Sequence, residues 1–467
     1  MDKVTFTFAE IRSALNGEWI GPFEPDDTVD ALFSDTREAA ANAMFFAFRG
    51  ENFDAHLFLD KAVAQGAKLL CVEKGRFDKL PDGVPAVAVE SVGTAYQALA
   101  HLHRTRFPAV RMLALTGSCG KTSTKETVRA ILNAAFGAEH VLATEGNTNN
   151  QIGVPRNLFR LNADHRAAII EMGTNHPGEI EPLTRCAEPE SAMIVSIGNC
   201  HLEFLGSLEG VAREKSHIFL TLNGKSRAAI PAGAAGFDIM KAAASAQGAE
   251  IVTFGSAPDC DFRSEYLGGT LKGASFRLTK KSTGESALIE WGIPGAHQAN
   301  NAAGAAALAD SLGIPFETIA KGIAGTTLPG MRMRVARHGE STWINDAYNA
   351  NPDSMKASLG WLAEFADPAK LVLALGDMGE LGDGSEAGHR SVLETAQSLL
   401  PGVRLVTVGP KMKAAAASLS VPPYKVFDST AAAACGFAAC VRDGDLVFLK
   451  ASRSTGLEKL EPAETDR

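Results

Sequence analysis

No run in this 467-residue sequence approaches the ~20 uninterrupted apolar residues of a membrane span, so membrane insertion is not expected. A basic excess is missing too: 45 Lys and Arg stand against 54 Asp and Glu, a net charge of −9. Over the bulk surface nothing would offset phosphate repulsion, which excludes a general nucleic-acid or acidic-membrane binder. A phosphorylated ligand held by local positive groups stays possible. Seven scattered cysteines with no C-x-x-C spacing make neither a disulfide framework nor a metal pattern. They read as reduced thiols of a cytoplasmic protein. The opening residues, MDKVTFTFAEIRSAL, carry acidic groups and no apolar core of a secretory signal. There is no internal repeat and no Gly/Ser or charged linker.

What is present is ordinary globular composition, 45% hydrophobic and 21% charged, enough for real cores and against disorder as the main state. The length suggests about three domains, and the pattern of elements places their boundaries. Residues 1–107 alternate short apolar runs (MFFAF 44–48, KLLCVE 68–73, VPAVAVE 84–90) with helical stretches such as DKAVAQGA (60–67), a small α/β unit. In residues 108–327, RMLALTG (111–117), AAIIEMG (167–173) and SAMIVSIGN (191–199) read as strands apolar on both faces, and a helix is expected from about Thr122 to Ala135. Such strands imply a parallel sheet covered by helices on both sides, with ligand groups at the strands' carboxyl ends. From residue 328 a third, Rossmann-like α/β domain is expected, with strands in 370–379, 403–409 and 443–454 and Ala-rich helices at 412–418 and 430–440.

The strongest local signal is Gly117-Ser118-Cys119-Gly120-Lys121-Thr122-Ser123, after a strand and opening a helix. Glycines let backbone N–H groups turn toward phosphate oxygens, and the helix start adds its positive dipole end. Lys121 would reach the β- and γ-phosphates, and the Thr122 hydroxyl would ligate Mg²⁺. The spacing departs from the usual G-x-x-x-x-G-K-[ST], since Leu115 stands where the first glycine would be. A helix-capping turn is the plain alternative; the strand–turn–helix setting favours a nucleotide site. A bound Mg²⁺ needs further ligands from neighbouring strand ends, where Glu171 and His201 lie.

Other residues are less decisive alone. Lys215 in GVAREKSHIF reads as a solvated lysine on a charged helix face. NTNNQIGVP (147–155) suits sugar or phosphate contacts and equally an ordinary Asx-rich turn. NDAYNANPDS (345–354) is either a ligand loop or a plain loop ending in a helix cap. Arg332 is either a phosphate contact or an exposed arginine.

Together these segments resemble the Mur ligases, ATP-dependent amide-forming enzymes of peptidoglycan precursor synthesis. The resemblance covers essentially the whole chain: TGSCGKT (116–122), NTNNQIGVP, EMGTNHPGEI, HLEFLGSLEGVAREKSHIF (201–219), GAHQANNAAGAAALA (295–309), INDAYNANPDSM and LGDMGELG (375–382). SDTREAAANAMFFAFRGENFDAHLFLDKAVAQGA (34–67), with RGENFDAH and DAYNANPDSM, is similar to the branch that adds D-alanyl-D-alanine. The resemblance implies joining D-Ala-D-Ala to UDP-MurNAc-tripeptide through an acyl phosphate, with ATP and two Mg²⁺ ions, in a monomer. It implies catalytic roles for Lys121, Glu171, His201 and Lys215, with Lys215 carbamoylated by CO₂ to serve one metal beside His201. Thr122 and Glu171 would serve the other. Residues 117–123, Asn301, Arg332 and Asp346 would hold the nucleotide. Ser34, Asp35, Thr36, Arg37, Asn52, Asp54 and His56 would hold the uridine diphosphate, Thr148, Asn149 and Asn150 the sugar and peptide, and Asn349 and Asn351 the dipeptide.

Gln298 stands where the family usually has asparagine, which leaves Asn301 untouched. Cys119, beside a helix start, is expected to have a lowered pKa and to react with thiol reagents unless ATP covers it. Closure of the third domain is expected to hinge near 325–331, around Pro329 and Gly330. Competing readings are a sister Mur ligase, a folylpolyglutamate synthetase-like ligase, a P-loop kinase and a non-catalytic nucleotide switch.

Overall fold

The computed structural model describes residues 2–38, 41–77 and 80–462. Its first sheet contains β1 (Asp2–Thr7), β2 (Glu18–Ile20), β3 (Thr28–Phe33), β4 (Ala43–Phe46), β5 (Ala67–Glu73) and β6 (Ala86–Val89), in spatial order β1-β3-β4-β5-β6-β2. The inner strands β3 to β6 are parallel and the two edges antiparallel. The segment 60–67 is shorter as a helix than its pattern suggests. That helix spans Leu59–Ala64, because Gly66 takes φ +106° and Ala67 already opens β5.

The second sheet has nine strands: β7 (Arg111–Thr116), β8 (Val141–Ala143), β9 (Ala167–Glu171), β10 (Ser191–Ile194), β11 (Arg227–Pro231), β12 (Glu250–Gly255), β13 (Phe262–Thr270), β14 (Gly273–Lys280) and β15 (Ser286–Trp291). Their order is β15-β14-β13-β12-β11-β10-β7-β9-β8. β10 through β13 run parallel. The sequence pattern missed the antiparallel ribbon of β13, β14 and β15 that extends the sheet. These strands alternate buried and exposed positions, the mark of a sheet wet on one face, and so lack the long apolar run that identified the others.

The third sheet contains β16 (Arg334–His338), β17 (Ser341–Asn345), β18 (Leu371–Gly376), β19 (Arg404–Val408), β20 (Lys425–Phe427) and β21 (Leu446–Lys450), ordered β16-β17-β21-β18-β19-β20. Only the β16 edge is antiparallel. Along β18, Leu371, Leu373 and Leu375 enter one core cluster while Val372 and Ala374 enter the other. Two buried faces explain the unbroken apolar run, each full burial of a Leu or Val stabilising by about 1.5–3 kcal/mol. The Ala-rich segment 430–440 is not one helix: it runs Thr430–Ala434, then breaks at Gly436 into a short 3₁₀ turn. Residues 325–333 carry no helix or strand, and Gly330 has φ +71°.

By contact density the chain divides into two compact units. One contains the residues up to Ala114 with Phe136–Thr174 and Gly178–Glu190; the other contains Leu115–Ala135, Asn175–Pro177 and everything from Ser191 on. Among the described residues no helix is long and apolar enough to cross a membrane.

Candidate active site

In the second unit, β7 ends at Thr116, and the loop 117–120 turns directly into the helix Lys121–Phe136. A Cβ on Gly117 would lie 2.9 Å from Val195 Cβ, and one on Gly120 would lie 2.7 Å from Asn301 Nδ2. Gly120 also takes φ +77°, so both glycines are required by packing and the second by its backbone. Ser196 braces the loop. Its hydroxyl accepts from Cys119 N–H (2.9 Å) and donates to the Cys119 carbonyl (3.0 Å). Lys121 Nζ donates to the Gly117 carbonyl at 2.7 Å, placing the ammonium over the loop. The helix's first N–H groups lack intrahelical acceptors by construction. A helix start, a lysine over the loop and glycine-narrowed walls fit a polyphosphate.

Residues far along the chain close on this loop. Arg332 stacks 3.7 Å over the Tyr348 ring, and its Nη2 donates to Thr122 Oγ1 at 3.1 Å. The Asn301 amide donates to Gln298 Oε1 (3.0 Å), and Gln298 Nε2 reaches Ser123 Oγ at 3.4 Å. Gln298 therefore takes part in holding Asn301 against the loop. Asp346 is buried and pairs with Lys450, while its Oδ1 accepts from the Met333 N–H. Lys450 carried no distinguishing sequence signal, and Tyr348 stood out only as part of the NDAYNANPDS segment.

Cys119 overturns one expectation. The thiol is pushed up by burial, not down, and accepts a hydrogen bond from Asn351 Nδ2 at 2.8 Å. The positive helix start loses to desolvation. Alkylation in the absence of nucleotide should therefore mark exposed Cys435 first and Cys119 slowly, as read by peptide mass spectrometry over a time course. Preferential early modification of Cys119 would contradict this burial.

Lys215, on the helix Leu208–Ser216, is 1% exposed. The solvated-lysine reading fails. Burial pushes its pKa down to about 8, and Lys121 adds repulsion. Among the described residues no carboxylate forms an ion pair with it. His201 takes a left-handed conformation (φ 50°), and its Nδ1 lies 2.6 Å from Glu380 Oε2, whose own residue is left-handed too (φ 60°). The histidine holds Glu380 below the usual carboxylate range. Glu380 lies in the LGDMGELG segment, but a contact across 179 residues has no local signal.

In the first unit, Glu171 ends β9 with its carboxylate buried, and Asn149 Nδ2 donates to its Oε1 at 2.8 Å. Asn149 and Glu171 are thus brought together. Asn150 and Thr148 spend their side chains locally: Asn150 Oδ1 accepts from Ile152 and Gly153 N–H, and Thr148 Oγ1 donates to the Glu145 carbonyl. Around the first sheet, Ser34 to Arg37 follow the carboxyl end of β3 and Asn52 to His56 follow that of β4. Arg37 is paired with Asp35, which it holds down at about 2. Asp54 accepts from His56 N–H, and His56 Nε2 accepts from Glu73 N–H at the end of β5. Asn52 is exposed and Thr36 partly buried.

Two residues assigned to the dipeptide are otherwise engaged. Asn349 Oδ1 accepts from Ala350 N–H, and Asn351 caps the helix Pro352–Ala363 in a reciprocal box with Ser354. Of the residues assigned to metal, Thr122, His201 and Lys215 belong to the second unit and Glu171 to the first. Among the described residues no cluster of three or more His, Cys, Asp and Glu groups is arranged for a metal ion. The second unit's candidates are a threonine, a histidine and a lysine, so a metal there would depend on nucleotide oxygens and a modified lysine.

A glycine-walled loop at a strand end, a lysine over it and an arginine from the segment before the third sheet define a P-loop-type phosphate-binding architecture. Residues 115–309 match the Mur ligase middle domain and residues 331–453 the Mur ligase, glutamate ligase domain. The chain belongs to the Mur ligase family. It is 34% identical over 460 residues, 98% of each chain, to the UDP-N-acetylmuramoyl-tripeptide--D-alanyl-D-alanine ligase of Escherichia coli K12. It is 35% identical over 393 residues to the Haemophilus influenzae enzyme of the same name, covering 83% of this chain and 82% of that one. The crystal structure of MurF from Acinetobacter baumannii superposes with a TM-score of 0.89 at 30% identity over 98% of both chains. Within the family the chain is therefore similar along its whole length to the D-alanyl-D-alanine ligases.

Proposed function

We propose that the chain joins D-alanyl-D-alanine to UDP-MurNAc-tripeptide at the expense of ATP, giving UDP-MurNAc-pentapeptide, ADP and phosphate. The observation that carries this reading is full-length similarity to ligases of that name, first domain included. A folate-type ligase or a nucleotide switch would not need the first sheet's ligand loops. Residues 1–107 then bind the UDP moiety, 108–327 bind ATP, and 328–467 bring the incoming dipeptide and close over the nucleotide.

The chemistry must make a poor electrophile reactive. The tripeptide carboxylate attacks the γ-phosphorus of ATP; the P–O bond to ADP breaks and an acyl phosphate forms. The dipeptide amine then attacks the acyl carbon, loses a proton, and inorganic phosphate departs. Lys121 is placed to neutralise the β- and γ-phosphates as two anions approach. Arg332, rigidified by Tyr348, delivers a second positive charge to the same loop. Mg²⁺, when bound, would neutralise phosphate charge; within the second unit Thr122 is the candidate for one ion, His201 and Lys215 for another. Lys215 reads as a carbamate: its neutral amine adds to CO₂, an N–C bond forms, and one proton is released. A buried lysine with no carboxylate ion pair among the described residues supports that assignment, since the product is an anion able to ligate a cation.

Phosphate release from ATP, with each component omitted in turn, tests the reading. Release that requires both UDP-MurNAc-tripeptide and D-Ala-D-Ala, with a product heavier by one dipeptide residue, is expected. Release with a single amino acid instead would move the chain to a sister ligase, and ATP binding without release would leave only a switch.

A further inference from the structure

Four contacts tie the helix Pro352–Ala363 to the sheet that carries the nucleotide loop, and they lie at its two ends. At the amino end, Asn351 donates to Cys119 Sγ, and Asp353 Oδ2 accepts from Asn199 N–H at 3.0 Å. Gly198 permits the second contact, because a Cβ there would lie 2.4 Å from Asp353 Oδ2. The segment so gripped is already tied to the loop: Ser118 Oγ donates to the Gly198 carbonyl and accepts from Gly198 N–H, and His201 follows three residues on. At the carboxyl end, Glu364 Oε2 accepts from the Tyr266 hydroxyl at 2.6 Å and from Gly269 N–H at 3.1 Å. Both donors belong to the β13–β14 hairpin, which bulges between Tyr266 and Gly268. A Cβ on Gly269 would lie 2.6 Å from the Tyr266 oxygen, so glycine is what lets the phenol in. At the hairpin's tip, Leu271 packs against the core of the third sheet's domain.

We propose that the helix Pro352–Ala363 is a strut: the β13–β14 hairpin anchors its carboxyl end through Tyr266, Gly269 and Leu271, and Asp353 and Asn351 at its amino end position the Gly198–His201 segment and Cys119. Tyr266, Glu364 and Asp353 are thus positioning residues for the nucleotide loop, although Tyr266 and Glu364 are a helix length from it. Twelve residues at 1.5 Å each separate the two anchors by about 18 Å. The helix is stiff because a capping box closes its start and Met355, Leu359 and Leu362 are fully buried along it. Loosening one end therefore tilts the other, rather than being absorbed in a loop. The catalytic consequence rests on the ligase reading above; the mechanical coupling does not.

The test uses the full-length protein with bound ADP, the state in which the third domain is closed over the nucleotide, and three variants: Tyr266→Phe, Asp353→Ala and Asp353→Asn, the last retaining an acceptor oxygen. The readouts are the alkylation rate of Cys119 relative to Cys435 and the exchange of the 198–201 amides. One lost hydrogen bond changes the docking equilibrium about five-fold. Tyr266→Phe and Asp353→Ala should therefore each raise the Cys119 rate by about that factor, with faster exchange at 198–201 and unchanged Cys435 labelling. Asp353→Asn should restore most of the native rate. In steady state both loosening variants should lower kcat more than they raise KM for ATP. An Asp353→Ala effect with none from Tyr266→Phe would overturn the strut, as would unchanged Cys119 labelling in both. A general loss of stability would raise Cys435 labelling and lower the melting temperature together, and would also overturn it. Should the native protein release no phosphate while the labelling pattern holds, the ligase reading fails and the strut stands.

Discussion

Replacing Lys121 with methionine should lower phosphate release by about 10²–10³-fold, the usual cost of removing one preorganised charge from a developing anion. Its ammonium already sits over the loop, 2.7 Å from the Gly117 carbonyl. On the proposed reading the helix start, Asn301 and Arg332 also hold the nucleotide, so the loss should fall on kcat more than on nucleotide affinity. Methionine keeps the length and apolar stem, so the loop's packing against Val195 and Asn301 should survive. The check is single-turnover phosphate release beside a direct nucleotide-binding titration. A variant that bound nucleotide normally and turned over at the native rate would remove Lys121 from the chemistry.

Lys215→Ala should lower turnover by about 10²-fold or more, since even groups that merely orient a metal ligand commonly cost 10–100-fold. Lys215→Arg should be no better, because a guanidinium cannot form the carbamate and stays cationic. The spectroscopic check is independent of activity: protein equilibrated with carbon-13 bicarbonate should show a carbamate resonance that is absent from Lys215→Ala. Burial favours the neutral amine that the reaction with CO₂ requires, since it pushes this lysine down to about 8. Native turnover without the resonance, and undiminished turnover in Lys215→Ala, would show that the lysine is only a buried structural group.

The parts of the molecule legible in the sequence are those whose cause is local. β7, β9 and β18 announce themselves because both faces are buried and nearly every side chain must be apolar. Loop 117–123 is readable because a strand end, two glycines and a lysine are consecutive. The β13–β15 ribbon escaped because a half-wet strand alternates, and its Gly268-Gly269 pair looks like a turn although it is a bulge inside a strand. Lys215 had the opposite problem. With Arg213 and Glu214 it looks like part of a charged face, yet Glu214 and Lys215 are both buried.

The Cys119 error shows how a local rule fails. A thiol at a helix start should acidify if water reaches it, but burial desolvates this one and outweighs both the dipole and the hydrogen bond that Asn351, 232 residues away, donates to it. The asparagine loop has local tasks that its sequence does not reveal. Asn351, assigned to the dipeptide from its sequence segment, caps a helix and donates to that thiol.

By itself the sequence determined the α/β class, the sheets' buried strands, the glycine-rich turn between β7 and its helix, and the family, because each depends on short-range patterning or on a recognisable run of residues. Only the tertiary structure decided that Glu380 faces His201, that Lys215 is buried, and that one helix bridges from the β13–β14 hairpin to the nucleotide loop. Those outcomes depend on which distant surfaces exclude water together, and burial, unlike periodicity, is not a property of any single segment.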